Sequence, residues 1–169
     1  MNEIQLASIE RKNAWLHDLV EVEFPTAESL KGRDIYFQTL EQQQYQVVDK
    51  KVLLDTEVDC RAEELFLVDF HRLTIMFSIL QSQRWDKQYD QEMVVEYLTQ
   101  IILTPDFELY VGFKDGNPVG AAIVSQFQGN TLISDVAVSD SIEKTQFESD
   151  LAKRLNSEEK LCETIILER

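Results

Sequence analysis

Hydrophobic positions along this chain follow a helical period in the first two thirds and a strand period afterwards. In residues 2–23, Ile9, Trp15, Leu16, Leu19 and Val20 recur at helical spacing, which predicts a helix closed by Phe24-Pro25. Gly32 reads as punctuation, and residues 34–44 predict a short helix that buries Ile35, Phe37 and Leu40. Residues 45–56 carry Val47, Val48, Val52, Leu53 and Leu54 around Asp49-Lys50-Lys51, a pattern for one bent strand or a tight hairpin. The clearest stripe follows. Phe66, Phe70, Leu73, Phe77 and Leu80 are spaced four, three, four and three apart, predicting a helix over residues 61–83 with all five in the core. A further helix is expected from Asp90 as N-cap, carrying Val94, Leu98, Ile101 and Ile102 until Pro105.

From Glu108 the period becomes two. Residues 108–113 alternate Leu109, Val111 and Phe113 against the other face, and Lys114-Asp115-Gly116-Asn117 supplies a turn into a partner strand over 118–127. Gln128-Gly129-Asn130 turns again into a third strand, 131–138; a helix over 142–155 and a strand over 161–167 follow. This order predicts an α/β (α+β) domain with a mixed, mostly antiparallel sheet flanked by helices.

Composition narrows the class. A chain of 169 residues reads as one domain, and at that length folding buries roughly 70% of the unfolded surface. The formal net charge of −15, with basic residues scattered, argues against nucleic acid or an anionic membrane as partner, since both require a positive patch. Cys60 and Cys162 are too few and too distant for a metal cluster or disulfide framework and read as buried thiols in a reducing compartment. No basic-then-apolar leader opens the sequence and no apolar run is long enough to span a bilayer, so a cytoplasmic protein is expected.

The stretch Leu109-Tyr110-Val111-Gly112-Phe113-Lys114-Asp115-Gly116-Asn117-Pro118-Val119-Gly120-Ala121-Ala122 resembles the second and third strands of the GNAT (N-acetyltransferase) superfamily. Ile133-Ser134-Asp135-Val136-Ala137-Val138 is similar to that family's fourth strand. With the two preceding helices the resemblance covers residues 50–169, leaving residues 1–45 as an extra N-terminal helical segment. It implies an acyl-CoA-dependent N-acetyltransferase acting on a small-molecule or protein amine, with acetyl-CoA or another acyl-CoA as cofactor and no metal. Val136, Ala137 and Val138 would pair with the pantetheine arm, Lys144 would lie near the pyrophosphate, and Asp135 stands near the place of a general base.

The resemblance is incomplete at the phosphates. The family's loop reads Gln or Arg, Gly, any residue, Gly, any residue, Gly or Ala; here those positions fall on Glu143, Lys144, Gln146 and Glu148, and none matches. Phe147, Leu151 and Leu155 keep the helix's apolar face. Asp140 and Glu143 have the spacing of a capping box, which would put two carboxylates where a pyrophosphate would sit. For Asp135 itself, a solvated strand carboxylate stands beside the catalytic reading. The family's later helix and hairpin have no counterpart after residue 167, so another subunit, as in a homodimer, or residues 1–45 would cover the open side of the sheet.

Other constellations carry less. His17 and Glu21 share a helix face without a third ligand, and His71 reads as solvent-facing. Walker, nucleophile-elbow and dinucleotide motifs are not found. Three readings therefore stand: an N-acetyltransferase with a degenerate pyrophosphate loop, a non-catalytic GNAT-fold module for self-association or for a partner or ligand, and an unrelated α+β domain.

Overall fold

The structure is a computed structural model describing residues 1–56 and 64–169. The N-terminal segment gives α1 (Glu3–Asp18) and α2 (Ala27–Gln38), and then strand β1 (Tyr45–Asp49) and the short α3 (Lys50–Leu54). Next come β2 (Glu64–Leu67), α4 (His71–Ser82), α5 (Gln88–Leu98), β3 (Phe107–Lys114), β4 (Asn117–Phe127), β5 (Asn130–Val138), α6 (Lys144–Ser157) and β6 (Thr164–Glu168). The strands form one six-stranded sheet in the order β1-β6-β5-β4-β3-β2, antiparallel throughout except for the parallel pair β5 and β6.

Alternation along the strands sorts the core into two layers. Leu109, Val111, Ala121 and Ile123 face Leu16, Tyr36, Phe77, Val94 and Tyr97 of α1, α2, α4 and α5. Tyr110, Ala122, Val124, Ile133 and Ile165 face Leu53 of α3 and Phe147, Leu151 and Leu155 of α6. Fully burying one such side chain stabilises by about 1.5–3 kcal/mol, so each helix is held by its stripe against the sheet. Both hairpins close on residue pairs with positive φ, Asp115-Gly116 and Gln128-Gly129, the signature of two-residue turns whose twist matches the strands.

Most elements fall where the hydrophobic period places them; the departures have identifiable causes. The helix expected over 61–83 begins only at His71, while Phe66 lies on strand β2 and Phe70 is the N-cap residue. Both are substantially exposed, so of the five-residue stripe only Leu73, Phe77 and Leu80 are core. Four residues of a strand next to a helix mimic a longer helical stripe, because apolar residues of both elements can be a few positions apart. Residues 61–63 of that span, and Cys60, lie outside the described residues. Cys162 is half-buried rather than buried.

Gly32 does not break the chain; it lies inside α2, which starts at Ala27 rather than residue 34 and is capped by the Thr26 hydroxyl accepting from the Ser29 N–H at 3.1 Å. A Cβ built on Gly32 would come within 1.9 Å of the Met93 carbonyl oxygen, so the glycine is a contact point between α2 and α5. Residues 45–56 form a strand followed by a helix instead of one bent strand or a hairpin, with the Asp49 carboxylate capping α3 by accepting from the Lys51 N–H at 2.8 Å. The helix expected from Asp90 begins at Gln88, with Lys87 as its cap residue, and stops at Leu98, before Pro105.

The open side of the sheet is covered from within the chain. β1 pairs antiparallel with β6 from Tyr45↔Glu168 to Asp49↔Thr164, and α1 lies over β4 and β5.

Candidate functional site

Strand β5 is the centre of the site, and its backbone is irregular where the chemistry gathers. Its register with β4 runs Ile123↔Ser134 and then Ala121↔Ala137, so Asp135 and Val136 together oppose Ala122 in a β-bulge. Asp135 has φ 51°, a left-handed conformation that aspartate tolerates better than most residues. The extra residue re-aims the side chains. In a regular strand Asp135 would follow Ile133 toward α6; instead its carboxylate meets groups from α1, α2 and the end of α4, while Val136 joins the cluster on the α6 side.

Asp135 is buried, not solvated. Its Oδ2 accepts from Lys12 Nζ at 3.2 Å, and its Oδ1 accepts from the Tyr36 hydroxyl at 2.6 Å and from Arg84 Nη2 at 3.3 Å. Its backbone N–H donates to Glu168 Oε1 at 3.3 Å, and its carbonyl accepts from the Gln81 side-chain amide. Lys12 Nζ also donates to Glu168 Oε2 at 3.2 Å, where the Tyr45 hydroxyl donates at 3.3 Å. Lys12 is 0% exposed. Two cations and two carboxylates thus form a neutral buried cluster joining α1, α2, α4, β5 and β6, with Arg84 reaching in from a half-buried position.

The ionisation of these groups follows from that packing. Burial works against the charged form of Asp135, but Lys12, Arg84 and the Tyr36 hydroxyl outweigh it and hold the carboxyl below its ordinary range. Burial likewise opposes the Lys12 ammonium, and Asp135 and Glu168 reverse the balance, raising it above the usual lysine value. The Tyr36 and Tyr45 phenols are pushed up, chiefly by burial. A carboxylate held ionised by a permanent internal cation is a weak proton acceptor at neutral pH, where a general base needs a pKa close to the working pH.

β6 ends at Glu168, one residue after the last parallel pair Ile133↔Leu167, and β5 continues through residues 134–138. On this stretch Val136 and Ala137 are buried and Val138 is half-buried. Lys144, the first residue of α6, donates its Nζ to the Glu168 carbonyl at the end of β6 at 3.5 Å. Arg169 pairs there with the buried Glu148.

The expected capping box is not formed. Glu143 is the N-cap residue of α6 and makes no side-chain cap bond, and Asp140 is exposed and precedes the helix. Of the three residues at the resemblance's glycine positions, two turn acceptors inward: Gln146 Oε1 and Glu148 Oε2 are buried without a hydrogen-bond partner among the described residues. A phosphate requires donors and close backbone approach, so side chains in place of glycine oppose it by bulk. Elsewhere, His17 contacts Asp18 and Glu21 pairs with Arg33, while His71 is exposed. Among the described residues, no cluster of His, Cys, Asp and Glu could hold a metal, and no helix is long and apolar enough to cross a membrane.

Lys12, Tyr36, Arg84 and Glu168 escape a reading by motif. A signal for Lys12 does exist: it lies three residues after Ile9 and four before Leu16, a cation in the middle of an apolar stripe. Glu168 continues Ile165-Ile166-Leu167, a strand apolar on both faces.

Comparison with solved structures places this sheet. A GCN5-related N-acetyltransferase from Kribbella flavida aligns with a TM-score of 0.50 at 14% identity, covering 79% of this chain and 53% of that one. The fold is GNAT-like. A conserved protein of unknown function from Staphylococcus epidermidis aligns with a TM-score of 0.54 at 14% identity, over 79% of this chain and 55% of its own. The alignments thus span about half the length of these two neighbours. No family model matches the sequence, and no curated protein matches it either. Within the GNAT-like fold, the Val119-Gly120 pair has a packing role: a Cβ on Gly120 would come within 2.4 Å of the Phe147 ring, so the glycine lets α6 sit on the sheet.

Proposed function

We propose that this chain is a non-catalytic GNAT-fold module, in which the cleft that would receive an acyl-CoA is closed by the chain's own residues and the remaining role is binding. The observation that carries the reading is the occupation of Asp135: its carboxylate is paired with Lys12, Arg84 and Tyr36 in a buried, neutral cluster. Lys144 and the Glu148–Arg169 pair close the opposite side, and unpartnered acceptors stand where phosphates would need donors.

The test is acetyl-CoA. A ligand at a hundred times its dissociation constant stabilises the native state by about 2.7 kcal/mol, a rise of several degrees in melting temperature at this size. This reading expects no rise with millimolar acetyl-CoA; a saturable rise of that size, reproduced by free coenzyme A, overturns it.

A second reading is favoured by one feature, the β-bulge in β5 that re-aims the Asp135 carboxylate. In that reading the chain is an acyl-CoA-dependent N-acetyltransferase of a small-molecule or protein amine, with Asp135 as base and Val136, Ala137, Val138 and Lys144 along the cofactor. It requires α1 to withdraw Lys12, and it predicts acetyl-CoA turnover with an amine acceptor.

A further inference from the structure

Two segments leave apolar side chains in water side by side. After α1, Val22 stays 58% exposed, and after α5, Ile102 stays 82% exposed. With Trp15 and Leu19 they line a hollow of about 230 Å³. The Trp15 ring stacks on that of Phe107 with centroids 4.7 Å apart, and Phe107 lines a second hollow of about 290 Å³ with Leu67, Val68, Leu103 and Leu109. The stack is thus a ridge between two apolar hollows, to which the consecutive Ile102 and Leu103 contribute one each. Single exposed apolar residues are ordinary, whereas a clustered patch marks a contact surface. Neither hollow is lined by Asp135, Lys144 or residues 136–138, so the surface is separate from the β5 cleft.

Size and charge together select the occupant. Small-molecule sites usually measure about 300–1,000 Å³, so each hollow suits one side chain rather than a whole ligand. Two such hollows across a ridge fit two anchors of one polypeptide. The charged residues that line them are Asp18, Asp69 and Glu108, and no Lys or Arg lines either. Glu108 already accepts from Lys160 and Tyr110, which leaves Asp18, beside the exposed His17, and Asp69 to attract a cation. The exposed Glu23 and Asp106 extend this acidic rim, and the net charge of −15 adds a negative field around it. A second copy would bring two such rims together, and an anionic lipid surface meets the same repulsion. A cationic segment is attracted.

We propose that the surface around Trp15, Val22, Ile102, Leu103 and Phe107 docks an arginine-bearing amphipathic segment of a partner protein, with one apolar side chain in each hollow and guanidinium groups against Asp18 and Asp69. Arginine suits such a rim because its guanidinium is weakly hydrated and meets a carboxylate through two parallel N–H bonds. The proposal names a partner for the binding role argued above and rests on that reading.

The probe is an N-acetylated, C-amidated peptide of leucine and arginine with its leucines at helical spacing, titrated into the chain and read by fluorescence anisotropy. It carries no primary amine, so its binding is not that of an acetyl acceptor. Saturable binding is expected, weakened about tenfold by Ile102→Ser, which removes one aliphatic contact. Ile102 is so exposed that its replacement leaves the fold intact, and an unchanged melting temperature checks this. Asp18→Asn should weaken binding at low salt and much less at high salt. A peptide of the same composition with its leucines off helical spacing should bind about tenfold more weakly. Equal affinity for wild type and Ile102→Ser, or for the two peptides, would leave only general charge attraction and overturn the proposal, as would no saturable binding at millimolar peptide. A dimer in sedimentation that Ile102→Ser dissolves assigns the surface to a second copy and also overturns it. Acetyl-CoA in a parallel thermal assay separates the two claims: stabilisation by it sinks the non-catalytic reading, whereas the peptide results decide the docking surface.

Discussion

Lys12 on α1 and Asp135 on β5 lie 123 positions apart in the chain and 3.2 Å apart in space, with neither exposed to solvent by more than 1%. Their contact fastens the N-terminal helix to the bulge of the sheet.

Removing one member of this pair should be costly and removing the charges together much less so. Lys12→Ala leaves Asp135 and Glu168 buried against Arg84 alone, and the expected loss is about 3–5 kcal/mol in urea unfolding. Lys12→Met combined with Asp135→Asn and Glu168→Gln should recover most of that loss. If the triple variant is as unstable as the single one, the loss comes from packing rather than charge.

The same cluster sets a pH dependence at both ends. Asp135 is depressed in the folded state, so its contribution is present above its ordinary value of 3.8 and is lost as pH falls below it. Lys12 is raised, so its contribution is present below its ordinary value of 10.5 and is lost as pH rises above it. Urea midpoints measured across pH should show both losses in the wild type, and Asp135→Asn should flatten the acid limb.

Gly32→Ala tests the α2–α5 contact. Alanine favours a helix over glycine by about 1 kcal/mol, yet the added Cβ would stand 1.9 Å from the Met93 carbonyl oxygen and 2.7 Å from Tyr97 Cβ. Backbone cannot yield as a flexible side chain does, so overpacking should win, with a net loss of about 1–3 kcal/mol by thermal or urea unfolding. A gain in stability would show that the helices stand farther apart.

The α4 boundary has its own test. Phe70 is the N-cap residue, half exposed, in extended geometry and with no side-chain cap bond, so Phe70→Ser should raise stability by about 0.5–1 kcal/mol. Phe77, fully buried, should lose about 3–5 kcal/mol as Phe77→Ala. Similar losses at both positions would favour one continuous helix through residue 70.

The second half of the fold was legible because its signals are local. Leu109 and Val111 on one face against Tyr110 on the other, with Asp115-Gly116 and Gln128-Gly129 as turns, specify β3, β4 and β5 from neighbouring residues. The first half was less so: Phe66 and Phe70 fit a helical stripe that the structure ends at His71, and Gly32 resembles a break when only its distant neighbour Met93 explains it. Asp135 was noticed for its place on the strand. Its burial was not foreseen, because nothing near it in sequence announces Lys12, Tyr36 or Glu168.

Hydrophobic period, turn chemistry and the Phe147-Leu151-Leu155 stripe by themselves determined a mostly antiparallel sheet with a helix on it, since each depends on residues a few positions apart. Tertiary structure alone decided that residues 45–49 become the strand beside β6, and that a one-residue bulge turns the Asp135 carboxylate toward α1. A bulge shifts which face every later side chain meets, and a buried charge persists only where distant groups converge to neutralise it. Both are properties of the assembled chain.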